Sequence, residues 1–396
     1  MHHLSTKVEN LAPSKTVEIS NLAFKLKNNG IDVISFSAGE PDFDTPNFIK
    51  EAAKKAIDNG FTKYTPVKGL PILIEAIINK LKRENDLEFN NNQIIITTGA
   101  KQAITLALDA LVDKGDEVII PAPYWVSYPE MVKLSGGIPQ IIPTFKEEGY
   151  KISYHSLKKA INKRTKALIL NSPANPTGSI YTKQELEKIA EICIEHTIYI
   201  ISDEIYEHII FDGKHISIAS LDDKIKRITI VINGCSKAYA MTGWRIGYAA
   251  GEAEIITGMA KIMSQRTTNT CSISQIAAVT ALNGDKIVIN QMVEEYRKRR
   301  DYMVKGLNEI GISCEIPPAT FYLFPDISFL FKKRYDGKQI RTAVKLCMLL
   351  LEKENIAIVP GEPFGSNKNI RISFATSIEN IKKGLKRIKR FLSKLS

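Results

Sequence analysis

The sequence predicts an α/β protein, with a mixed, mostly parallel sheet between helices in a large domain and a smaller α/β domain after it. Three observations carry this. Short apolar runs alternate with amphipathic ones through the first two thirds of the 396 residues, as in strands joined by crossover helices. At 44% hydrophobic residues the chain can bury a large core in two domains. From about residue 286 the pattern changes to a long charged helix, "VEEYRKRRDYMVKGLNEI", and then to the elements of a smaller unit.

Each element has its own signal. "IDVISF" reads as a strand, followed by the loop "SAGEPDFDTP". A helix starts at Pro46 with Thr45 as N-cap and Gly60 as its stop; Ile49, Ala52, Ala53, Ala56 and Ile57 form its apolar stripe. "QIIITT" is a buried strand, and "AKQAITLALDALV" is a helix apolar nearly all round, hence central. "DEVIIP" and "TKALILN" are further strands. Thr182 and Glu185 form a capping box that opens "KQELEKIAEICIEH". The strands "IYIIS" and "RITIVING" follow, and "RENDLEFNNNQ" earlier in the chain reads as a polar turn.

The net charge is +11, but basic residues are scattered among acids. The densest run, "IENIKKGLKRIKRFLSKLS", places Ile378, Ile381, Leu385, Ile388 and Leu392 at helical spacing, so its lysines form the wet face of a packed helix. Nucleic-acid binding is therefore not expected, while small anionic substrates would be attracted. The five cysteines, Cys193, Cys235, Cys271, Cys314 and Cys347, form no C-x-x-C pair, and no histidine completes a metal site with them. "MHHLSTKVENLAPSK" lacks an apolar signal core and "MLLL" is too short to span a bilayer. A cytoplasmic protein with reduced thiols, no metal and no membrane association is expected.

In sheets of this kind ligands bind at the carboxyl ends of the strands. Gly99 and Lys101, Asn175, Asp203 and Lys237 all fall just after, or at the end of, predicted strands. Lys237 sits among small apolar residues with Arg245 nearby, so desolvation and like charge would lower its pKa and suit it to a Schiff base with an aldehyde; the alternative is a snorkelling strand-end lysine. Asp203 is either a helix N-cap or a carboxylate paired with a buried cation such as a pyridinium nitrogen, with Tyr206 offering a phenol nearby. "TTGAKQA" is either a tight turn or a helix start that holds a phosphate, with Ser236 and Arg245 as further donors. Trp125 in "YWVSYP" either stacks on a flat ring or packs. Asn175 in "NSPANPTG" is either aimed at a ligand oxygen or part of a plain turn. Arg371 inside "NIRISFA" needs an anion, either a substrate carboxylate or a cross-strand acid.

Together and in this order, "SAGEPDFDTP", "KYTPVKGLP", "TTGAKQA", "PYWVSYPEM", "NSPANPTG", "SDEIYEHIIFDG", "SKAYAMTGWRIGY", "VPGEPFG" and "RISFA" resemble the class I aminotransferases of pyridoxal-phosphate fold type I, nearest the bacterial aspartate/prephenate branch. The resemblance implies an N-terminal arm and part of the small domain over 1–45, a large cofactor-binding domain over 46–285 and a small C-terminal domain over 286–396. It implies pyridoxal 5'-phosphate on Lys237, Asp203 at the pyridinium nitrogen, Tyr206 and Asn175 at the ring oxygen, and Trp125 stacked on the ring. Gly99, Ala100, Lys101, Ser236 and Arg245 would hold the phosphate, joined by Tyr64 of a neighbouring subunit in a homodimer with shared sites. Gly39 and Arg371 would hold the substrate's α-carboxylate, and Trp125 and Asn175 would also line the substrate's place. The activity implied is ping-pong transamination of L-aspartate with 2-oxoglutarate. Prephenate, aromatic amino acids or alanine are alternatives, and a C–S lyase of this fold is a further one. A cofactor-binding transcription regulator would need an appended DNA-binding module, whereas the likeness begins within the first few dozen residues. Three positions depart from the pattern: Ala12 where prephenate-active members tend to be basic, Asp109 where some acidic-substrate members carry lysine, and Ile74 where arginine is common. Asp109 near a distal carboxylate would repel it unless another cation compensates.

Overall fold

The computed structural model describes residues 4–9, 11 and 15–396. Ala12 lies outside the described residues. The strand expected at "IDVISF" is only Ile34–Ser35 (β1), which pairs in parallel with Ile356–Ala357 in the smaller unit.

The large sheet has seven strands: Ile94–Thr98 (β2), Glu117–Ala122 (β3), Ile138–Pro143 (β4), Thr165–Asn171 (β5), Tyr199–Asp203 (β6), Thr229–Gly234 (β7) and Ile246–Ala250 (β8). Their spatial order is β2-β8-β7-β6-β5-β3-β4, parallel except for β8, which runs antiparallel to both neighbours. Strands β6 and β7 are continuous apolar runs because helices cover both faces. One side is filled by Ala100–Leu111, buried through Ile104, Ala107 and Leu108, and the other by Lys183–Glu195, buried through Leu186, Ile189 and Cys193. Strands β4 and β8 are not among those the sequence predicts; "RIGYAA" is too small and glycine-rich to stand out as a strand.

The smaller unit has a three-stranded antiparallel sheet of Val359–Pro360, Ile370–Ser373 and Tyr322–Leu323, packed with the helices Ile287–Glu309, Ala343–Glu354 and Ile378–Leu392. On the last helix Ile381, Leu385 and Ile388 are buried, as the spacing predicts. This core also takes in Ile205, Tyr206, Ile209 and Phe211, which follow β6, so the end of a large-sheet strand is packed into the smaller unit.

Two local readings are corrected. Thr45 is not a cap: the helix is Asn47–Asp58 with Pro46 at the N-cap, and the Thr45 hydroxyl donates instead to Ala240 O at 2.7 Å. "RENDLEFNNNQ" is more than a turn: it contains the end of the helix Pro71–Asn85, buried Leu87 and Phe89, and a capping box between Asn90 and Gln93. The box at Thr182 and Glu185 forms as predicted. Ile74 is buried at 7% exposure in an apolar cluster, a place that suits isoleucine rather than arginine.

A glycine sets how closely the helix Ala100–Leu111 approaches the sheet. A Cβ on Gly247 of β8 would lie 2.3 Å from Ala100 N and 2.4 Å from Gly99 C. These are backbone atoms and cannot swing away. Gly247→Ala is therefore expected to push the helix start off the sheet and lower stability by about 2 kcal/mol, read as a fall in the urea midpoint against the unchanged protein.

Candidate active site

The carboxyl ends of β2, β3, β5, β6 and β7 meet at one edge of the sheet. Because β8 is antiparallel, its amino end, Arg245, reaches that same edge (Thr98 faces Ile246 and Gly234 faces Gly247). The edge borders a cavity of about 430 Å³. Of the residues singled out from the sequence, Gly39, Ala100, Lys101, Trp125, Asn175, Asp203, Tyr206, Ser236, Lys237, Arg245 and Arg371 line it. Gly99 lies just behind, at φ +78°, where a Cβ would stand 2.6 Å from the Arg245 guanidinium. Tyr64 is 89% exposed and does not line this chain's own cavity. Asp109 does not line it either: its carboxylate accepts from Ser135 Oγ at 2.7 Å and pairs with Arg266, so the expected repulsion of a substrate carboxylate does not arise.

Lys237 Nζ donates to Gly39 O at 2.7 Å and lies 5.9 Å from the Tyr206 ring centre. Burial lowers its pKa to about 8; Glu40 works against this, and Arg371 and Arg245 add to it. Asp203 Oδ2 accepts from Tyr128 Oη at 2.6 Å and Oδ1 from Ile205 N at 3.3 Å. Burial nevertheless pushes its carboxyl up to about 6, because these donors and Lys237 only partly replace water. The N-cap reading of Asp203 does not hold, since no helix follows within that segment.

At the other groups the pattern is of donors aimed into the cavity. The helix Ala100–Leu111 begins there, and the first N–H groups of a helix have no partner within it. Ser236 is buried beside it, and Arg245 holds Thr242 O at 2.8 Å. Arg371 donates to Asn175 Oδ1 at 3.2 Å and Ser37 O at 2.9 Å, and it stacks on the rings of Tyr322 and Phe364. Among the described residues no carboxylate pairs with it, and its buried Nε finds no acceptor. An anion from outside the chain would complete it. Lys101 Nζ lies 4.9 Å over the Trp125 ring, and desolvation lowers its pKa.

Sequence reading missed Ser37, Glu40, Tyr128, Asn171, Thr242 and Tyr322, which also line the cavity. Tyr128 stood within "PYWVSYPEM", but nothing local says that its hydroxyl reaches Asp203, 75 positions away.

The fold is that of the pyridoxal-phosphate transferases of type I. A family model described as "Aminotransferase class I and II" matches residues 31–388, and the chain belongs to that family. It is 46% identical over 395 residues to an aspartate aminotransferase of Bacillus subtilis, covering 99% of this chain and all of the relative. It is likewise 46% identical to an aspartate/prephenate aminotransferase of Nitrosomonas europaea, over 98% of this chain and all of that one. Among solved structures, an aspartate aminotransferase of Rhizobium meliloti superposes with a TM-score of 0.96 at 41% identity over the full length of both chains. One from Thermus thermophilus, solved with maleate, superposes at 0.94 with 42% identity, over 99% of this chain and all of that one.

The cofactor is pyridoxal 5'-phosphate, and the cavity's donor set fits it. A buried carboxyl raised to about 6 lacks a cation, and an open helix start with Ser236 and Arg245 beside it lacks an anion. The molecule carries both a ring nitrogen that can be protonated and a phosphate.

Since Lys237 titrates near 8, its amine is half unprotonated there. In cofactor-free protein, reductive alkylation of Lys237 by a small aldehyde should rise with pH through about 8, whereas exposed lysines respond only near about 10.4. Peptide mass spectrometry across pH reads this directly; a midpoint at the ordinary value would remove the desolvation argument.

Proposed function

We propose that this chain is an aminotransferase that passes the amino group of L-aspartate to 2-oxoglutarate, giving oxaloacetate and L-glutamate in two half-reactions at one site. The observation that carries the choice of substrate is Lys101. It is a cavity cation that pairs with no carboxylate among the described residues, in addition to Arg371. A dicarboxylic substrate needs two such groups, one for each carboxylate. The names of the relatives, and the maleate in the Thermus structure, support the same reading.

When bound, the cofactor supplies an aldehyde that condenses with amines and a ring that takes up the electron pair left on the substrate's α-carbon. The chain's residues do the rest. Lys237 would carry the cofactor until the substrate's amine takes its place; its freed amine, basic without being permanently charged, would then move the proton from the substrate's α-carbon to the cofactor's former aldehyde carbon, and back in the reverse half. Asp203 keeps the ring nitrogen protonated, and Tyr128 holds its carboxylate in place. Asn175 has its carbonyl oxygen engaged by Arg371, which leaves its NH₂ to reach the ring oxygen along with the Tyr206 hydroxyl. Trp125 covers the ring face. The N–H groups of Ala100 and Lys101, with Ser236 and Arg245, hold the phosphate, while Gly99, whose own N–H donates to Thr97 O at 2.8 Å, turns the chain into the helix behind it. Arg371 and Gly39 orient the α-carboxylate, while the Lys101 side chain takes the distal one.

We further place the enzyme in the cytoplasm as a homodimer in which Tyr64, exposed here, reaches the phosphate of the second copy. The division at 45 and 285 is read as arm, cofactor domain and small domain. A second reading, prephenate as the amino acceptor, rests on the name of the Nitrosomonas relative. Steady-state kinetics with aspartate, glutamate, alanine, phenylalanine and prephenate separates the two readings.

Lys101→Met is expected to lower kcat/KM for aspartate by about 10- to 100-fold, the worth of one charge-assisted hydrogen bond, with alanine nearly unaffected. Arg371→Ala should impair every amino acid alike, because all share the α-carboxylate; equal losses in both variants for all substrates would refute the division of roles. Lys237→Ala should abolish turnover while leaving the circular dichroism and thermal midpoint close to those of the unchanged protein.

A further inference from the structure

We infer that the hydroxyl of Tyr322 is a positioning group for Tyr206, donating to it so that the Tyr206 proton is left to point into the cofactor cavity. This rests on the placement of Tyr206 proposed above. The two hydroxyl oxygens are 2.8 Å apart, and both side chains are buried. Each phenol has one proton, so only one of them can donate across that contact. If Tyr206 donates, its proton is spent on Tyr322 and it can only accept from a ligand. If Tyr322 donates, Tyr206 keeps its own proton for the ring oxygen.

The surroundings decide the direction. The Arg371 guanidinium lies 4.4 Å over the Tyr322 ring. A cation against the face of a phenol draws electron density from its oxygen, which makes the hydroxyl a better donor and a poorer acceptor. The other charged groups facing the pair are Asp203 and Lys237 on the Tyr206 side and Glu40 near Tyr322. Asp203, being anionic, makes Tyr206 the weaker acid and the better acceptor. Lys237, 5.9 Å from the Tyr206 ring centre, and Glu40 near Tyr322 act the other way, but the guanidinium lies closer, 4.4 Å over the Tyr322 ring, and outweighs Glu40 there, so the balance favours Tyr322 as donor. A donor behind Tyr206 also polarises its O–H and strengthens the bond that Tyr206 makes in front.

The fold makes this a link between two ends of the site. Tyr322 faces Ser373 in the small antiparallel sheet, two residues from Arg371 on the same strand. The sheet that would hold the substrate's α-carboxylate therefore also sets the hydrogen bond behind a group assigned to the cofactor. Nothing in the sequence around "ATFYLF" points to this tyrosine, because its partners come from residues 206 and 371.

The test uses Tyr322→Phe, which keeps the ring beneath Arg371 and removes only the oxygen. In the cofactor-loaded enzyme without substrate, the visible absorption titrates with pH as the nitrogen joining Lys237 to the cofactor loses its proton. That loss leaves charge on the ring oxygen, so a strong donor there lowers the midpoint. Tyr322→Phe is expected to raise it by about 0.5 pH unit, through a weaker Tyr206 bond. Tyr206→Phe should raise it further, and the double variant no more than Tyr206→Phe alone. If Tyr206→Phe leaves the midpoint unmoved, the placement of Tyr206 itself is wrong. If Tyr206→Phe moves it but Tyr322→Phe does not, or if the two shifts add in full, the link from Tyr322 through Tyr206 is overturned. Thermal midpoints of both single variants in cofactor-free form check that packing is retained.

Discussion

Desolvation at one edge of the large sheet is the constraint on which the rest of the site turns. It acts on both signs of charge at once. Burial takes Lys237 down to about 8 and Asp203 up to about 6, so each is moved toward its neutral form near physiological pH. Neither group has the other as a hydrogen-bond partner. Lys237 donates to a backbone carbonyl, and Asp203 accepts from a tyrosine and a backbone N–H. A cavity built this way stabilises its charges only when something else brings counter-charges in. In the proposed function the cofactor's ring nitrogen does this for Asp203, and its phosphate does it for Arg245 and the helix start. The same reasoning covers Arg371, whose buried Nε is unpartnered without an outside anion.

Holding such groups apart needs rigid support, and that support is itself ionic. Glu207, four residues beyond Asp203, is buried behind the site and accepts from Lys80, from Asn85 Nδ2 at 2.7 Å and from Asn233 Nδ2 at 2.7 Å. Burial alone would raise its carboxyl, but Lys80 and the nearby histidines hold it well below the usual carboxylate range. Asn233 in turn fixes the N–H of Gly234, three residues before Lys237. The turn bearing Asp203 and Tyr206 is thus tied to the strand that delivers the lysine. Beside it Glu204 takes Ser202, Ser217 and His215, while Glu84 takes His208 and Lys286. These clusters of acid and histidine have the spacing of cation sites, and Lys80 supplies a cation at their centre. A buried pair of this kind adds little net stability over an apolar core, but losing one partner costs several kcal/mol because the other is stranded. Such a network rewards one arrangement of its chain segments over all others.

Legibility in the sequence followed how local each signal was. The alternation of strands and helices, the box at Thr182 and Glu185 and the stripe of the last helix depend on residues a few positions apart, and they appear where expected. The groups at strand ends were legible for a related reason: parallel topology alone sends the carboxyl ends of strands to one edge. What escaped were pairings set by the tertiary fold. Thr45 stands in the position of a cap, yet Ala240 and Trp244 claim its hydroxyl. Asp109 reads as a threat to substrate binding unless a cation compensates, and Arg266, 157 residues on, is that cation, holding it away from the cavity. Tyr128 and Tyr322 carry no local mark at all, since an aromatic residue in an apolar run reads as core whether or not its hydroxyl reaches something polar.

The antiparallel strand of the large sheet, β8, shows how topology and chemistry are joined here. Between β7 and β8 the chain makes a loop, closed by the pairing of Gly234 with Gly247, and both Lys237 and Arg245 lie within it. Were β8 parallel, the residue preceding it would start at the opposite edge of the sheet, a full strand length away. The reversal brings the amine and the guanidinium to one cavity from one loop. That loop contains two non-glycine residues in the left-handed region, Ala240 at φ 50° and Arg245 at φ 58°. Conformations of this kind cost about 1–3 kcal/mol each and persist only where the surroundings over-determine them. The surroundings do so through the segment 39–45. Lys237 holds Gly39 O, Thr242 holds Glu40, and Trp244 and Ala240 both hold the Thr45 hydroxyl. The N-terminal segment that would meet the substrate is therefore the clamp that keeps the lysine loop in its strained shape. Four hydrogen bonds thus fix residues 39–45 and the lysine loop to one another.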